Sequence, residues 1–369
     1  MTTRTQSFSP CPTPFSDHVF KTVAEVDVPL RIWPATEGQG NRPWLLWWHG
    51  GGFTAGKHVI PNAWVVPAFR ARGYHVVSAA YRFLPHVNLD DMAQDAIDAH
   101  IWCRENLPKI LGAGNVDVEA LVVGGDSAGG TMSTLAGINL NPSPKVVLDI
   151  YGITDATDPY FTGRGVDEST PAEQARKNFF KLSGKFTEEE IAAALAETDP
   201  RKAQHIVPWS WEVEPAMSLE TLRSFWGVPD FQITPEHTLR MDMLGVLDRN
   251  RKLFRKLARR HDVDEDSKLD DPDALDKLLL DYSPFHLVDI KGTYPATFFL
   301  HGDVDMAVPV AQSRNMAKKL RTLGVPVGEA YSPEGNHCFD NVIEEPTDAG
   351  WNQYIVPCMD FIDKHIRTA

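Results

Sequence analysis

The sequence has few of the features that mark secreted or membrane-spanning proteins. No run of 18 apolar residues occurs, so no transmembrane helix is predicted. Nothing near the N-terminus resembles a basic segment followed by an apolar core, and no Asn-x-Ser/Thr sequon with a non-proline middle residue is present. The four cysteines, of 369 residues, show no C-x-x-C spacing. We therefore expect a reduced, cytoplasmic setting.

Positive charge is also scarce. The net charge of −14 and the pI near 5.4 argue against nucleic acid or an anionic membrane as the main partner, because both require a clustered basic surface. The one basic run, Arg249–His261, is followed at once by acidic residues and is interpreted as a solvated helix face. The acidic Asp262-x-Asp264-x-Asp266 lacks the glycine and the terminal glutamate of a calcium loop, so no metal site is expected there.

Strand and helix patterns alternate along much of the chain. The 43% of apolar residues allow a sizeable core, and the region His18–Trp33 alternates in the way that edge strands do. Apolar runs predict buried strands, and Asp91–Asn106 predicts an amphipathic helix between two of them. The runs are Pro43–Trp48, His75–Tyr81, Leu121–Val123, Lys145–Tyr151, Ala296–Leu300 and Val327–Tyr331. This order predicts an α/β fold with a doubly wound, mainly parallel sheet.

The alternation stops between two of these strands. Residues 153–283 are predicted to form an inserted, mostly helical cap, which splits a catalytic core into 17–152 and 284–369. Within the cap, a capping box at Thr187–Glu190 predicts one helix, Ser218–Trp226 a second, and Met241–His261 a long third. Residues 1–16, rich in Ser, Thr and Pro, are predicted to be a flexible arm.

A Gly-x-Ser-x-Gly pentapeptide, Gly125–Gly129, lies between a predicted strand and a predicted helix. A serine at such a turn adopts a strained backbone conformation, and glycines on both sides permit the close approach of strand and helix. The hydroxyl of Ser127 then stands clear of the sheet. Upstream, His49-Gly50-Gly51-Gly52-Phe53 follows another strand, and its glycines leave backbone N–H groups available to a developing anion.

Two further chemical groups follow predicted strands. An acyl transfer through a serine needs a base and an anion that orients this base. His337 follows the last strand, and Asp305 follows the one before it, so the chain order is Ser, Asp, His. Asp303 could orient the histidine instead, although the spacing to Val308-Pro309 favours Asp305. His49 and Asp126 are interpreted as residues that brace their loops.

These motifs, together with His301-Gly302-x-x-Asp305-x-x-Val308-Pro309 and Gly335-Asn336-His337, resemble the hormone-sensitive-lipase-like branch of the α/β-hydrolases. The resemblance covers about 17–152 and 284–369. It implies that Ser127 is the nucleophile, His337 the general base and acid, and Asp305 the residue that holds the imidazole. It also implies an oxyanion hole made by the N–H groups of Gly51, Gly52 and Ala128, with no cofactor. Two positions depart from the pattern: Met306-Ala307 replaces a common Pro-Leu, and Cys338 a common glycine.

The leading prediction is therefore a serine hydrolase that cleaves carboxylic esters of small to medium size. Because segment 153–283 is larger than a simple esterase needs, the substrate could instead be a lactone or a polyketide-like biosynthetic thioester, released by hydrolysis or cyclisation. A third alternative is a catalytically silent binding protein on the same fold. The expected partner is a small-molecule acyl ester or thioester, and the sequence leaves the oligomeric state open, a homodimer included.

Overall fold

The computed structural model describes residues 10–208, 218–233, 236–259 and 271–367. The acidic triplet at positions 262, 264 and 266 and the first nine residues of the predicted arm lie outside the described residues.

A single sheet of eight strands forms the centre of the molecule. Its spatial order is β1-β2-β4-β3-β5-β6-β7-β8. The strands β1 and β2 pair with antiparallel neighbours, whereas the six from β4 to β8 in this order pair parallel. The strands are β1 Ser16–Val23, β2 Val26–Trp33, β3 Arg42–Trp48, β4 His75–Ala79, β5 Val116–Asp126, β6 Val146–Ile150, β7 Ala296–Gly302 and β8 Val327–Ser332.

Both faces of this sheet are buried. In β3, Trp44, Leu46 and Trp48 point into one apolar cluster, while Leu45 and Trp47 point into the other. Successive side chains of a strand face opposite sides, so an unbroken apolar run is what a strand covered on both faces requires. The first cluster includes residues of helices α2 (Leu89–Leu111) and α3 (Ala128–Asn139), and the second includes residues of α1 (Val65–Ala71). The predicted α/β fold with a doubly wound, mainly parallel sheet is confirmed.

Between β6 and β7 the chain is helical. The described α-helices of this stretch are α4 Pro159–Thr162, α5 Pro171–Phe179, α6 Glu188–Ala196, α7 Leu219–Trp226, α8 Glu236–Arg249, α9 Leu253–Leu257, α10 Pro272–Leu279 and α11 Pro284–Lys291. Thr187 and Glu190 form the predicted capping box at the start of α6. Ser218 accepts a hydrogen bond from the N–H of Thr221 and so caps α7.

The predicted long helix over Met241–His261 is wrong in its extent. Two helices, α8 and α9, occupy its described part, and between them Arg251 has a φ of +53°. A positive φ cannot continue an α-helix. The guanidinium of Arg251 turns into the protein and binds the buried carboxylate of Glu173, so the basic run is only partly a solvated face.

The described part of the predicted arm is not loosely held. Cys11 is buried, and its N–H donates to the carbonyl of Phe225 at 2.7 Å. The indole of Trp33 donates to Pro12 O at 2.8 Å, and Arg70 donates to Thr13 O at 3.0 Å. These hydrogen bonds fix residues 11–13 on the core, which composition alone did not reveal.

The chain continues after β7 with α12 (Ala311–Thr322) and, after β8, ends in a π-helical turn Trp351–Ile355 and α13 (Val356–Arg367). The final helix packs on the same face of the sheet as α1, and Cys358 and Ile362 are fully buried there. Within the described part of the chain, no helix combines the length and apolar character needed to cross a membrane.

Candidate active site

Ser127 occupies a sharp turn between β5 and α3. Its φ is +53° and its ψ −117°, a conformation that non-glycine residues rarely adopt. The turn is held by the Ser127 N–H, which donates to Ile150 O at 2.8 Å. A Cβ at Gly129 would lie 2.0 Å from Trp48 O, so only glycine permits this approach of α3 to β3. The geometry matches the strained strand-turn-helix that the pentapeptide predicted.

Three predicted side chains form one line of hydrogen bonds. The imidazole of His337 lies with Nε2 3.0 Å from Ser127 Oγ and with Nδ1 2.7 Å from Asp305 Oδ2. The other oxygen of Asp305 accepts from the N–H groups of Ala307 and Val308 at 2.8 and 2.9 Å. All three follow the carboxyl ends of parallel strands, where such groups gather in doubly wound sheets.

Asp303, the alternative partner of the histidine, lies elsewhere. Its Oδ1 accepts a hydrogen bond of 2.8 Å from Arg314, and both side chains are partly exposed. The carboxylate that contacts His337 is therefore that of Asp305.

Electrostatics couple the imidazole and its carboxylate. Burial alone would raise the pKa of Asp305, but the positive charge of His337 and hydrogen bonds from His301 and His337 hold this pKa well below its usual range. Burial would lower the pKa of His337, but the Asp305 carboxylate outweighs this effect and raises the pKa above its ordinary value of 6.5. The pair therefore favours an ionised Asp305 beside a basic imidazole.

The glycine loop lies against the serine turn. A Cβ at Gly50 would be 3.1 Å from the Cβ of Ser127. Gly51 has a φ of +130°, and a Cβ there would lie 1.8 Å from Ala55 O, so no larger residue fits. The carbonyl of Gly51 accepts from the N–H groups of Thr54 and Ala55, both at 3.1 Å, which closes the loop into a tight turn.

Three backbone N–H groups of the glycine loop and the serine turn are candidate donors to an anion. Among the described residues, none accepts a hydrogen bond from the backbone N–H of Gly51, Gly52 or Ala128. Ala128 is the first residue of α3, where N–H groups have no intrahelical partner. Donors without a partner at a helix start and a glycine turn can stabilise an anion.

Two polar residues brace these loops. Asp126 Oδ1 accepts from the N–H of Gly50 at 3.0 Å, so it ties the glycine loop to the serine turn. His49 Nδ1 donates to Gly50 O at 2.6 Å, and its ring stacks on Tyr81 at 4.7 Å between centroids. Burial raises the pKa of Asp126 to about 7 and lowers that of His49 to about 3. A neutral, buried imidazole is suited to holding the loop rather than to removing protons.

The buried carboxylate of Asp340, which no sequence motif indicated, supports the imidazole of His337 through Tyr151. Asp340 accepts hydrogen bonds from Tyr151, Trp64 and Asn62 at 2.7, 2.8 and 2.8 Å. The Tyr151 ring lies 4.8 Å from the His337 ring. Tyr151 comes directly after β6, at the carboxyl edge of the sheet. This position in the sequence could have identified Tyr151 as a residue of the site, but it gives no sign of Asp340.

His301 makes a second, similar contribution on the other side of Asp305. Its Nδ1 accepts from Ser313 Oγ at 2.8 Å and its Nε2 lies 2.9 Å from Val308 O, so the proton belongs on Nε2. The same Nε2 is 3.3 Å from Asp305 Oδ2. His301 thus fixes the turn that carries the carboxylate.

A cavity of about 560 Å³ opens onto Ser127 and His337. One wall comes from the loops of the sheet, and Cys338 lies partly buried in this wall. The helical segment supplies the facing wall, with Phe161, Phe179, Phe180, Lys181, Leu222, Phe225, Trp226, Met241, Leu244, Gly245, Asp248 and Leu253. The methyl groups of Leu244 would be 2.5 Å from a Cβ at Gly52, so α8 packs directly on the glycine loop. Among the described residues no cluster of three or more ligand side chains could hold a metal ion.

Two family models and several solved structures are similar to this chain. A family model described as the alpha/beta hydrolase fold matches residues 45–201, and one described as the prolyl oligopeptidase family matches residues 256–367. Esterase 2 of Thermogutta terrifontis superposes with a TM-score of 0.53 at 16% identity, covering 95% of this chain and 94% of that one. A Staphylococcus aureus protein of unknown function superposes with a TM-score of 0.56 at 17% identity, covering 96% and 100%. At sequence identities of 16% and 17%, the likeness to these structures shows the fold alone.

Among curated proteins, the non-reducing polyketide synthase stbA of Stachybotrys bisbyi is 26% identical over 364 residues, which cover 95% of this chain and 15% of the synthase. The synthase ascC of Acremonium egyptiacum is 27% identical over 365 residues, with the same coverage of 95% and 15%. The chain thus spans about 15% of the length of these synthases. The ethyl acetate hydrolase of Pseudomonas putida is 26% identical over 186 residues, covering 44% of this chain and 57% of that protein. The family matches and the sheet topology together show that the chain has the alpha/beta hydrolase fold, and its resemblance to the hormone-sensitive-lipase-like family is confirmed.

Proposed function

We propose that the protein is a serine hydrolase that cleaves carboxylic esters of small to medium size through an acyl-enzyme on Ser127. The observation that carries this proposal is the hydrogen-bonded line from Asp305 through His337 to Ser127, which ends at a cavity. The N–H groups of Gly51, Gly52 and Ala128 donate to none of the described residues, and Gly50 of the same glycine loop lies against Ser127, which supports the proposal further.

In the first step, Ser127 Oγ attacks the carbonyl carbon of the ester while His337 Nε2 takes the hydroxyl proton. The carbonyl oxygen becomes an oxyanion and accepts hydrogen bonds from the free N–H groups, each typically worth about 3–4 kcal/mol of barrier. Asp305 stays ionised and stabilises the imidazolium. The C–O bond to the alcohol then breaks, and His337 gives its proton to the departing alkoxide.

In the second step, water attacks the acyl-enzyme. His337 removes a proton from the water, a second oxyanion forms in the same place, and the bond to Ser127 Oγ breaks as His337 returns the proton. The carboxylic acid leaves and the enzyme is restored. Apolar side chains such as Phe161, Leu222 and Leu244 line much of the cavity, and their low polarity strengthens these electrostatic interactions relative to bulk water.

The direct test is the variant Ser127→Ala with p-nitrophenyl acetate and butyrate. We expect kcat to fall by about 10⁴- to 10⁶-fold, since no other group replaces the nucleophile. A fluorophosphonate probe should label the wild type, but not the variant. Ser169→Ala is the matched control and should retain activity and labelling, because this exposed serine hydrogen-bonds Asp167 alone among the described residues. Equal turnover by wild type and Ser127→Ala would end the proposal, and a wild type that resists the probe would point to a binding protein.

A second candidate substrate is an acyl thioester or lactone from a polyketide-like pathway. It is favoured by the extent of the match to the polyketide synthases, which covers 95% of the chain. Such coverage must include most of segment 153–283, which forms one wall of the cavity, whereas the match to ethyl acetate hydrolase covers 44%. The chemistry of Ser127 is the same: the acyl group moves from sulfur to oxygen, and His337 protonates the departing thiolate. Water or a hydroxyl of the acyl chain then completes the reaction.

These two candidates differ in their leaving group. The test pairs an ethyl ester with the N-acetylcysteamine thioester of the same hydroxyacyl group and follows both products by mass spectrometry. A thioester rate that exceeds the ester rate by more than the intrinsic difference measured with hydroxide favours the thioester. A lactone product would show that the acyl chain's own hydroxyl, rather than water, resolves the acyl-enzyme.

A further inference from the structure

One carboxylate in the cavity wall has no hydrogen-bond or ion-pair partner among the described residues. The side chain of Asp248, near the end of α8, lines the same cavity as Ser127 and His337. No residue in the described part of the chain donates a hydrogen bond to this carboxylate or forms an ion pair with it. Only the main chain of Asp248 is engaged, because its carbonyl accepts from Arg176 Nη1 at 2.7 Å and from the N–H of Arg251 at 3.0 Å.

The surroundings of Asp248 are unfavourable for a charge. Met241 and Leu244 of α8, together with Leu253 of α9, line the cavity near Asp248 with apolar side chains. Burial raises the pKa of Asp248 to about 7, although Arg176 and His337 partly oppose this rise. Asp248 is only partly buried and lines the cavity, so its carboxylate is open to a ligand or water that donates a hydrogen bond to it. Asp126, the other carboxylate of the cavity wall, already has its donor in Gly50.

The position of Asp248 is built rather than incidental. Glu173 accepts hydrogen bonds from Arg176 at 2.7–3.1 Å and from Arg251 at 2.6–3.0 Å, and all three side chains are buried. Arg176 in turn donates to the carbonyls of Asp248 and Arg249. Hydrogen bonds from Arg176 hold the pKa of Glu173 at about 2, so this network stays ionised. It holds the main chain at the end of α8, where Asp248 lies.

The charge of the cavity indicates which donor would meet Asp248. Lys57 and Lys181 line the same cavity, so a cationic substrate group would meet two positive charges there. Much of the remaining lining is aromatic or aliphatic, including Phe161, Phe180 and Leu222. A neutral hydroxyl on an apolar body satisfies both conditions, because it donates one hydrogen bond without carrying a charge into an apolar site.

We propose that Asp248 selects acyl substrates that carry a hydroxyl or phenol group on an otherwise apolar acyl chain, by accepting a hydrogen bond from this group while the carbonyl lies at Ser127. This inference rests on the proposed function and names the substrate class of the same site. Asp248 is thus a specificity-determining residue in the helical segment, distinct from the groups that carry out the acyl transfer.

The test compares p-nitrophenyl esters that differ in one group: 3-phenylpropanoates with a ring hydroxyl, in the meta or para position, and the methoxy counterparts, which lack the donor. We expect the wild type to favour one hydroxyl ester over its methoxy counterpart by about 10- to 100-fold in kcat/KM. In Asp248→Leu this ratio should fall to about one, and in Asp248→Asn, which keeps a neutral acceptor, to an intermediate value. Met241→Leu, a change in the same wall without a polar atom, should keep the wild-type ratio.

A second measurement separates this inference from the proposed function. Calorimetry on Ser127→Ala with the corresponding hydroxyphenyl and methoxyphenyl propanamides measures binding without chemistry. Tighter binding of the hydroxyl ligand that disappears in Ser127→Ala/Asp248→Leu supports the role of Asp248, even if no ester is hydrolysed. Efficient ester hydrolysis with equal rates for hydroxyl and methoxy esters would overturn the inference and leave the proposed function intact. Circular dichroism and the midpoint of thermal unfolding show whether each variant is folded. If Asp248→Leu is unfolded, the comparison is made with Asp248→Asn.

Discussion

The two walls of the cavity are built on different principles. The sheet side places its polar groups in loops directly after strand ends, so each one follows from a local motif in the chain. The helical side, residues 153–283, places Asp248 and its supporting arginines through packing between helices that are distant in sequence. In the proposed function, short and strongly constrained turns therefore position the groups that carry out the reaction, whereas tertiary packing positions the residue proposed to select the substrate.

Two carboxylates make this contrast concrete. Asp305, on the sheet side, accepts hydrogen bonds from two N–H groups and from His337, and its pKa is lowered. Asp248, on the helical side, has no donor in the described part of the protein, and its pKa is raised. The same chemical group therefore suits two tasks, because its surroundings decide whether it holds a charge permanently or waits for a ligand.

The largest expected effect tests the sheet side. Asp305→Asn preserves shape but removes the charge that, in the proposed mechanism, holds the imidazole in its tautomer, so kcat should fall by about 10⁴-fold, as the same change does in serine proteases. Asp303→Asn, two residues away and paired with surface Arg314, is the matched control and should stay within about twofold. Steady-state kinetics with p-nitrophenyl butyrate measures both. Similar losses in the two variants would remove the distinction between the two aspartates.

The next effect tests the helical side. Glu173→Gln leaves the buried Arg176 and Arg251 without their shared anion, so the free energy of unfolding should fall by about 3 kcal/mol or more. Because the end of α8 loosens, KM should rise more than kcat falls. Urea unfolding and steady-state kinetics measure the two effects. Glu168→Gln, the control, removes the surface ion pair with Lys177. It should leave the free energy of unfolding and the kinetic constants unchanged. A collapse of kcat with unchanged KM would place this segment in the chemistry instead.

A smaller effect is the pH dependence. The base must be neutral to accept a proton, so kcat/KM rises as pH rises through the pKa of His337 and is lost below it. Since nearby carboxylates raise that pKa, the acidic limb should have its midpoint above 6.5. Asp340→Asn removes one of these carboxylates and should move the limb to lower pH. A pH–rate profile of both proteins checks the direction, and a limb that moves to higher pH would contradict this electrostatic account.

The smallest effect concerns Cys338. This residue has a φ of +62°, where a non-glycine side chain is disfavoured, and related hydrolases commonly have glycine at this position. Cys338→Gly should relieve strain and lose some apolar contact, so stability should change by no more than about 1 kcal/mol. Thermal unfolding and ester kinetics provide the measurement, with kcat/KM expected within about threefold of the wild type. A loss above tenfold would mean that the thiol takes part in the reaction.

Much of the sheet and its polar edge could be predicted from the sequence, because strands buried on both faces leave unbroken apolar runs and strained turns require glycine. Asp303 and Asp305 could not be separated with certainty by spacing, since both follow β7 by a few residues and only the direction of the turn distinguishes them. The break at Arg251 was missed because it depends on Glu173, a distant carboxylate. Asp248 was missed because a helical aspartate with no motif looks like any solvated residue until the helix is packed.

Leu244 and Gly52 give the last consequence. The leucine methyls lie so close to this glycine that the roof of the cavity and the proposed anion-receiving loop share one boundary. A substitution that widens or narrows the cavity at this point is therefore expected to change the direction of the N–H groups in the glycine loop as well. We expect such a substitution to change substrate range and reaction rate together. Variants selected for bulkier acyl groups are therefore expected to arise along the Phe161 and Phe225 side, where the wall can recede without disturbing the loop.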